Sequence, residues 1–283
     1  MQSVANTTVF AWASGIYFIS ALVYIAAKAG KKESWLKTAA YSAWAGLALH
    51  TFALGLRWVE SYRMGIGHAP LSNFYESIVF LGWAVVLLSL LTERRNGSGI
   101  PGVFILPAVF LIMAYASFSA GVERGIQPLA PALQSNWLAS HVMSCLFGYA
   151  SFAVACGIGI MALAQEWKTG GGRGNPAGGL PLPAARLDEL VYFSLVLGFI
   201  LLSIGIATGS VWAHSAWGSY WSWDPKETWS LITWIIYAAA LHLRLSRGWR
   251  GKKTAALAVF GFISVLFTYL GVNFLPGLHS YLK

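Results

Sequence analysis

The stretch that decides the fold is DELVYFSLVLGFILLSIGIATG, residues 188–209, where an almost unbroken apolar run follows two acidic residues. A hydrocarbon core of about 30 Å is crossed by roughly 20 apolar residues in a helix, and this run is long enough. Seven further stretches meet the same requirement: 7–28, 38–58, 74–92, 101–119, 138–166, 226–245 and 254–273. The sequence therefore predicts an all-α, polytopic membrane bundle of eight transmembrane helices.

Composition supports a membrane protein and argues against a nucleic-acid partner. The 283 residues are 57% hydrophobic and 10% charged, whereas a soluble domain carries roughly a quarter charged residues. The net charge of +9 follows from topology, because membrane proteins keep Lys and Arg on the cytoplasmic side. No basic n-region precedes the first apolar run, so no cleavable signal peptide is predicted. Cys145 and Cys156 are eleven residues apart in one run, about 16 Å of helical rise, which is too far for a disulfide.

The connections between the apolar runs predict the orientation. Fourteen basic residues fall in alternate connections: Lys28, Lys31, Lys32, Lys37, Arg94, Arg95, Lys168, Arg173, Arg186, Arg244, Arg247, Arg250, Lys252 and Lys253. The remaining five lie on the other side: Arg57, Arg63, Arg124, Lys226 and Lys283. The first set is predicted to be cytoplasmic, with both termini external. We expect one domain, 1–283, with an external segment 210–229 and a flexible cytoplasmic loop 167–187 that is rich in Gly and Pro.

The external segment contains Trp217-Gly-Ser-Tyr-Trp221-Ser-Trp223-Asp224-Pro-Lys-Glu-Thr-Trp229, with four Trp in thirteen residues. Such a cluster suits a large flat ligand, although Trp also gathers at membrane surfaces without any ligand. Asp224 followed by Pro and by Glu227 predicts a capping box at a helix start. The run from Asn73 to Glu76 predicts a second box.

Histidine is the other residue type that suggests chemistry. The chain has six: His50, His68, His141, His214, His242 and His279. Ionisable residues within spans are candidates for function, with hydrogen-bonded structural residues as the alternative. Four of the six, all except His50 and His242, are predicted to share the compartment of the tryptophans.

Imidazoles, flat aromatic walls and cations are together what a haem site requires. His242 lies 17 residues after Pro225, about 25 Å along the same helix, where it is either a packed polar residue or an inner-side ligand. The external cations available for haem propionates are Arg57, Arg63, Arg124 and Lys226, each of which could instead snorkel to the interface.

These residues resemble a known family. The segment from Trp217 to Trp229 is similar to the WWD signature of haem-handling proteins in cytochrome c biogenesis (System II). The segments that resemble its CcsA (ResC) branch are Gly67–Ser77, Leu133–His141, Tyr237–Arg244 and Gly271–Tyr281. They run over most of the chain.

The resemblance implies roles for particular residues. His141 and His279 resemble the two external axial ligands of haem iron, and His242 resembles the transmembrane histidine that receives haem from the inside. The core of the WWD domain corresponds to Trp217, Gly218, Trp221, Trp223 and Asp224. His50 is a minor alternative as an inner ligand, His214 is interpreted as loop structure, and His68 has no assigned role.

The implied function is transport of haem b, as substrate, to the external site and its thioether attachment to the Cys-x-x-Cys-His motif of apocytochrome c. The enzymatic step would belong to a holocytochrome c synthase formed with a CcsB (ResB) subunit, with no general acid or base from this chain. A thioredoxin-like thiol reductant is a further expected partner. The bacterial plasma membrane is the expected location, with the thylakoid membrane as the alternative.

Three other functions compete with this one. A haem-delivery subunit like CcmC would have fewer spans and would lack the segment around Leu275–Tyr281. A small-molecule transporter with an aromatic gate would hold no chromophore. A scaffold would use Trp only as an interfacial belt, for which Trp12, Trp35 and Trp58 are candidates.

Overall fold

The computed structural model describes residues 4–30, 32–96, 100–119, 121–169 and 182–277. All secondary structure in these ranges is helical. The α-helices are α1 (Val4–Ala29), α2 (Glu33–Arg63), α3 (Phe74–Asn96), α4 (Ile100–Phe118), α5 (Asn136–Thr169), α6 (Ala184–Trp217), α7 (Pro225–Arg247) and α8 (Lys252–Tyr269). Short 3₁₀ turns follow at Pro131–Leu133 and Gly271–Phe274. Each predicted apolar run therefore forms a helix.

Five of these helices, α1, α3, α5, α6 and α8, are long and apolar enough to cross a membrane by length and composition. The chain is thus a multi-pass membrane protein. The apolar part of α4 is shorter, and in α2 and α7 the apolar residues are interrupted by Trp, Tyr, His, Ser and Thr. By length and composition alone, α2, α4 and α7 are therefore not identified as spans.

The chain divides into two compact units, Met1–Val142 and Met143–Lys283. In the first unit, one face of α1 is fully buried and carries Asn6, Phe10, Tyr17, Ser20 and Tyr24. Its hydroxyl groups meet α2 and α3: Tyr17 lies 3.2 Å from His50 Nδ1, Ser20 lies 2.8 Å from Ser42 Oγ, and Tyr24 donates to Glu93 at 2.7 Å. Buried polar groups need such partners, so these bonds fix how α1 faces its neighbours.

In the second unit, α5 packs closely against α6 and α7. A Cβ placed on Gly205 would come 2.5 Å from Cys145 Sγ, so only glycine allows the helices to approach this closely. Phe152 stacks on Tyr237 with ring centroids 3.6 Å apart. Within the described residues Cys145 and Cys156 form no disulfide, as predicted, and Cys145 packs as a small side chain against Gly205.

The predicted loop 167–187 is partly wrong. Helix α5 continues to Thr169 and α6 already begins at Ala184, because Trp167-Lys168 and Ala184-Ala185-Arg186 can all continue a helix. The Gly- and Pro-rich residues 170–181 lie outside the described residues. At its other end α6 extends eight residues past the predicted boundary at 209, to Trp217, because no helix breaker precedes Gly218.

Candidate functional site

The tryptophan segment joins the end of α6 to the start of α7. Trp217 is the last residue of α6, and Gly218 has a left-handed φ of 78° with its N–H donating to His214 O at 2.9 Å. Glycine adopts this conformation without a Cβ penalty, which explains why the helix ends here. Trp217 also packs edge-on against Trp212, with ring centroids 4.7 Å apart.

The predicted capping box at Asp224 is confirmed. Asp224 Oδ1 accepts from the Lys226 N–H at 3.0 Å, and Glu227 Oε2 accepts from the Asp224 N–H at 3.3 Å. The Glu227 carboxylate also accepts from the Ser222 N–H at 2.8 Å. One carboxylate thus holds the end of the tryptophan segment onto the first turn of α7, which fixes the angle between segment and helix.

Trp221 and Trp223 are held in two different environments. Trp223 has a φ of 59° and is 69% exposed, a conformation that bulky residues rarely adopt. Trp221 is half-buried and its ring meets that of Trp223 edge-on at 5.7 Å. Among the described residues, the buried Trp221 indole N–H has no acceptor. An exposed aromatic face and an unsatisfied donor therefore lie side by side.

The chain after α8 returns to this segment. A Cβ placed on Gly277 would lie 2.6 Å from Asp224 Oδ2 and 3.1 Å from Pro225 Cδ, so the Gly277 backbone passes directly over the start of α7. His279 itself lies outside the described residues; Gly277, two residues before it in the sequence, lies beside Asp224.

The other predicted histidine ligands lie on helices. His141 is half-buried in the second turn of α5. His242 is exposed near the end of α7. Two residues on, Arg244 turns inward and forms a bidentate pair with Asp188, both contacts being 2.8 Å. His242 therefore faces away from the packed side of α7 and stays available to a partner or ligand.

Two histidines have structural contacts that the sequence did not indicate. The sequence predicts that His214 is part of a loop, but it lies in the last turn of α6, stacked on Tyr220 with centroids 4.2 Å apart. The correction follows from the longer α6. His68 is buried, with Nδ1 2.9 Å from Ala69 O and Nε2 2.9 Å from Gln127 O. Both ring nitrogens are thus engaged, and the Nε2 contact joins two connections of the first unit.

Arg57 is not an external cation for propionates, nor does it snorkel. Its side chain is 2% exposed and its Nε donates to Glu76 Oε1 at 2.7 Å. The other guanidinium nitrogens donate to Asn6 Oδ1 and to the carbonyls of Arg124 and Gly125 at 3.1–3.2 Å. A buried charge requires such pairing. Arg57 therefore ties α2 to α1, to α3 and to the connection after α4.

The second predicted capping box is half correct. Asn73 Oδ1 accepts from the Glu76 N–H at 2.9 Å, as a cap does. The Glu76 carboxylate accepts instead from the Ser72 N–H at 2.7 Å and from Arg57. The nearby cation redirects this carboxylate, so the start of α3 is joined to α2.

Helices of membrane length and a rigid segment of clustered aromatic rings define a multi-pass membrane protein with an aromatic site between two helices. The model of the cytochrome C assembly protein family matches residues 71–279. The cytochrome c biogenesis protein CcsA of Crocosphaera subtropica is 39% identical over 94% of both chains. That of Parasynechococcus marenigrum is 44% identical over 82% of both. The chain therefore belongs to the cytochrome c assembly family, on its CcsA (ResC) branch, and is a cytochrome c biogenesis protein of the membrane.

A solved structure has a similar fold. The cytochrome c heme lyase CcmF superposes with a TM-score of 0.68 at 17% identity, covering 95% of this chain and 48% of CcmF. At this identity the likeness concerns the fold alone. The present chain spans about half the length of CcmF.

Proposed function

We propose that this chain carries haem b from the cytoplasmic side to a site on the opposite face of the membrane. The tryptophan segment forms one wall of that site, and His141 and His279 are the axial ligands of the iron. Together with a CcsB (ResB) subunit, the chain holds haem there for covalent attachment to apocytochrome c. Handling of haem is what its family implies; the route and the ligands are the proposal.

The approach of Gly277 to Asp224 is the observation that carries the proposal. It brings the chain within two residues of His279 to the base of the tryptophan segment. A histidine two residues after Gly277 must stay close to the base of the segment, because two extended residues span at most about 7 Å. Its imidazole can therefore reach an iron held against Trp221 and Trp223. A CcmC-like subunit would lack the segment around Leu275–Tyr281 that follows α8.

The side chains of the segment suit haem, which has a flat porphyrin ring and two propionate side chains. The exposed face of Trp223 is a flat apolar wall, and the Trp221 indole N–H is a buried donor that a propionate oxygen would satisfy. Leaving such a donor without a partner costs about 1–3 kcal/mol, which a bound carboxylate would recover. By contrast, Trp12, Trp35 and Trp58 are exposed singly on α1 and α2, as belt residues are.

The chemistry requires position rather than a general acid or base. Two imidazoles fix the porphyrin, so each vinyl group meets a cysteine thiol at high effective molarity. Each thiol adds across one vinyl double bond: a C–S bond forms, the S–H hydrogen passes to the other vinyl carbon, and no oxidant is consumed. A thioredoxin-like reductant would keep the two cysteines as thiols.

His242 is proposed as the inner-side ligand. It is exposed near the end of α7, roughly 25 Å of helix away from Pro225, and can share haem with a histidine of the CcsB subunit. We place the basic connections in the cytoplasm and the tryptophan segment outside the plasma membrane, with eight spans and external termini.

The proposal is tested by purifying the chain with and without CcsB and recording absorption spectra and the pyridine haemochrome. We expect b-type haem in the complex, and its absence from both preparations would overturn the assignment. His141→Gly and His279→Gly should each abolish cytochrome c assembly, with added imidazole restoring it. His214→Gly is the matched control, since His214 is an exposed histidine beside the same segment.

A second experiment tests the approach of the chain to Asp224. Gly277→Ala would place a methyl group against the Asp224 carboxylate, so haem retention should fall while the helical content is unchanged. Gly15→Ala is the control, because nothing lies within 4 Å of a Cβ at that position. If Gly277→Ala retains haem as the wild-type chain does, the approach of Gly277 to Asp224 is not part of the haem site.

A further inference from the structure

We propose that a cleft between α2 and α3 in the first unit binds one anionic phospholipid, independently of the haem route. The cleft is open on one side and has a volume of about 650 Å³, within the range of about 300–1,000 Å³ that is typical of ligand pockets. It is lined by Leu36, Lys37, Ala40, Tyr41, Trp44, Leu90, Glu93 and Arg94. The phosphate would lie between Lys37 and Arg94, with an acyl chain along the apolar wall.

The cleft lies where a membrane surface is expected. Lys37 is in the second turn of α2 and Arg94 is in the last turn of α3. The hydrogen bond from Tyr24 to Glu93 holds the end of α1 at the same level. The cleft therefore opens at one end of the helices of the first unit, where lipid headgroups are expected.

The charge of the opening favours an anion. Lys37 and Arg94 are exposed, and Lys32 and Arg95 are exposed nearby. Glu93 is the carboxylate of the lining, but it is buried and already accepts a hydrogen bond from Tyr24 at 2.7 Å, whereas the two cations are exposed. Basic pockets between helices at the cytoplasmic surface bind anionic lipid headgroups.

The remaining lining favours a lipid over other amphipathic anions. Leu36, Ala40 and Leu90 form an aliphatic wall, and Tyr41, 73% exposed, and Trp44 stand at its edge. Aromatic residues of this kind settle at the headgroup level. The lining contains no histidine, cysteine or methionine in the part of the chain that is described. These are the usual axial ligands of haem iron, and Tyr41, the remaining residue of a ligating type, is 73% exposed at the edge of the cleft, so an acyl chain is the better occupant.

The test uses the full chain in nanodiscs of phosphatidylcholine with a minority of phosphatidylglycerol, followed by native mass spectrometry after release into detergent. We expect one retained phosphatidylglycerol per chain. The double variant Lys37→Gln/Arg94→Gln should weaken retention roughly tenfold or more, because each basic residue near the surface contributes appreciably to binding of anionic lipid. Arg247→Gln/Lys252→Gln removes two exposed cations of the second unit and should retain the lipid.

A second variant, Ala40→Trp, fills the cleft without changing its charge and should also lose the lipid. Deacylated glycerophosphoglycerol serves as a competitor and should displace the lipid only weakly. The proposal is overturned if both lipids are retained equally, if the control pair loses phosphatidylglycerol to the same extent, or if the headgroup alone competes fully. Loss of haem in place of lipid in the Lys37/Arg94 variant would assign the cleft to haem instead.

Discussion

At the scale of single residues, the two ends of the tryptophan segment show different uses of a left-handed backbone. Gly218 adopts a φ of 78° and Trp223 a φ of 59°. Glycine does so freely, whereas a residue with a Cβ is destabilised by roughly 1–2 kcal/mol. A strained backbone of this kind persists only where surrounding contacts hold it in place, and such residues are common at functional sites. Here the capping box directly after Trp223 holds the strained residue, and the ring is left exposed.

We expect Trp223→Gly to be more stable than Trp223→Ala by about 1 kcal/mol, because only glycine relieves the left-handed conformation. Both variants remove the ring and should lower haem retention equally. Thermal unfolding of the haem-free proteins measures the first difference, and the pyridine haemochrome measures the second. Equal stability of the two variants would mean that position 223 is not strained.

At the scale of elements, the sequence predicted which segments are helical and how α7 begins, but not where every helix ends or which charged side chains pair. Runs of about 20 apolar residues identified all eight helices, and the residue pattern at Asp224 identified how α7 begins. The ends of α6 were missed because hydropathy marks the apolar part of a helix rather than its length. The orientation of Arg57 was missed for another reason. Its partner Glu76 lies on the next helix, and a single sequence does not reveal which face of α2 is turned inward.

The cap of α7 can be separated from the charge of Asp224. Asparagine caps helices about as well as aspartate does, whereas alanine costs about 1 kcal/mol. We therefore expect Asp224→Asn to keep the near-ultraviolet circular dichroism of the tryptophans, and Asp224→Ala to change it and to lower the stability. Should the Asn variant change the spectrum as much as the Ala variant, the carboxylate charge rather than the cap would hold the segment.

The buried pair of Arg57 and Glu76 should dominate the stability of the first unit. Removing one partner of a buried ion pair typically costs about 3–5 kcal/mol, because the other charge is left uncompensated. We expect Arg57→Met and Glu76→Leu each to cause a loss of this size in unfolding experiments. The double variant should be more stable than either single variant. Arg186→Met is the control: Arg186 pairs with Glu189 at the surface, where such pairs contribute about 0–1 kcal/mol.

At the scale of the whole molecule, α7 has one face packed against its neighbours and another face that is exposed and carries a histidine. Its packed side carries Thr233, Tyr237 and Ala240, and its exposed stripe carries Ile235, Ala239, His242 and Ser246. An imidazole on an exposed stripe within a membrane is costly unless a partner covers it. The small side chain of Ala239, one turn before His242, would let another helix or a flat ring come close. If the proposed function is right, this stripe is the surface that we expect a CcsB subunit to cover.

A bulky residue on this stripe tests that assignment for the assembled complex. Ala239→Trp should leave the isolated chain folded, because Ala239 is exposed, but it should prevent close packing of a partner helix. We expect co-purification of CcsB, and with it the inner-side haem, to fall at least tenfold. Ala48→Trp makes the same change at an exposed alanine of α2 and should leave the complex intact. If both variants recover CcsB equally, another surface holds the partner, and His242 faces lipid.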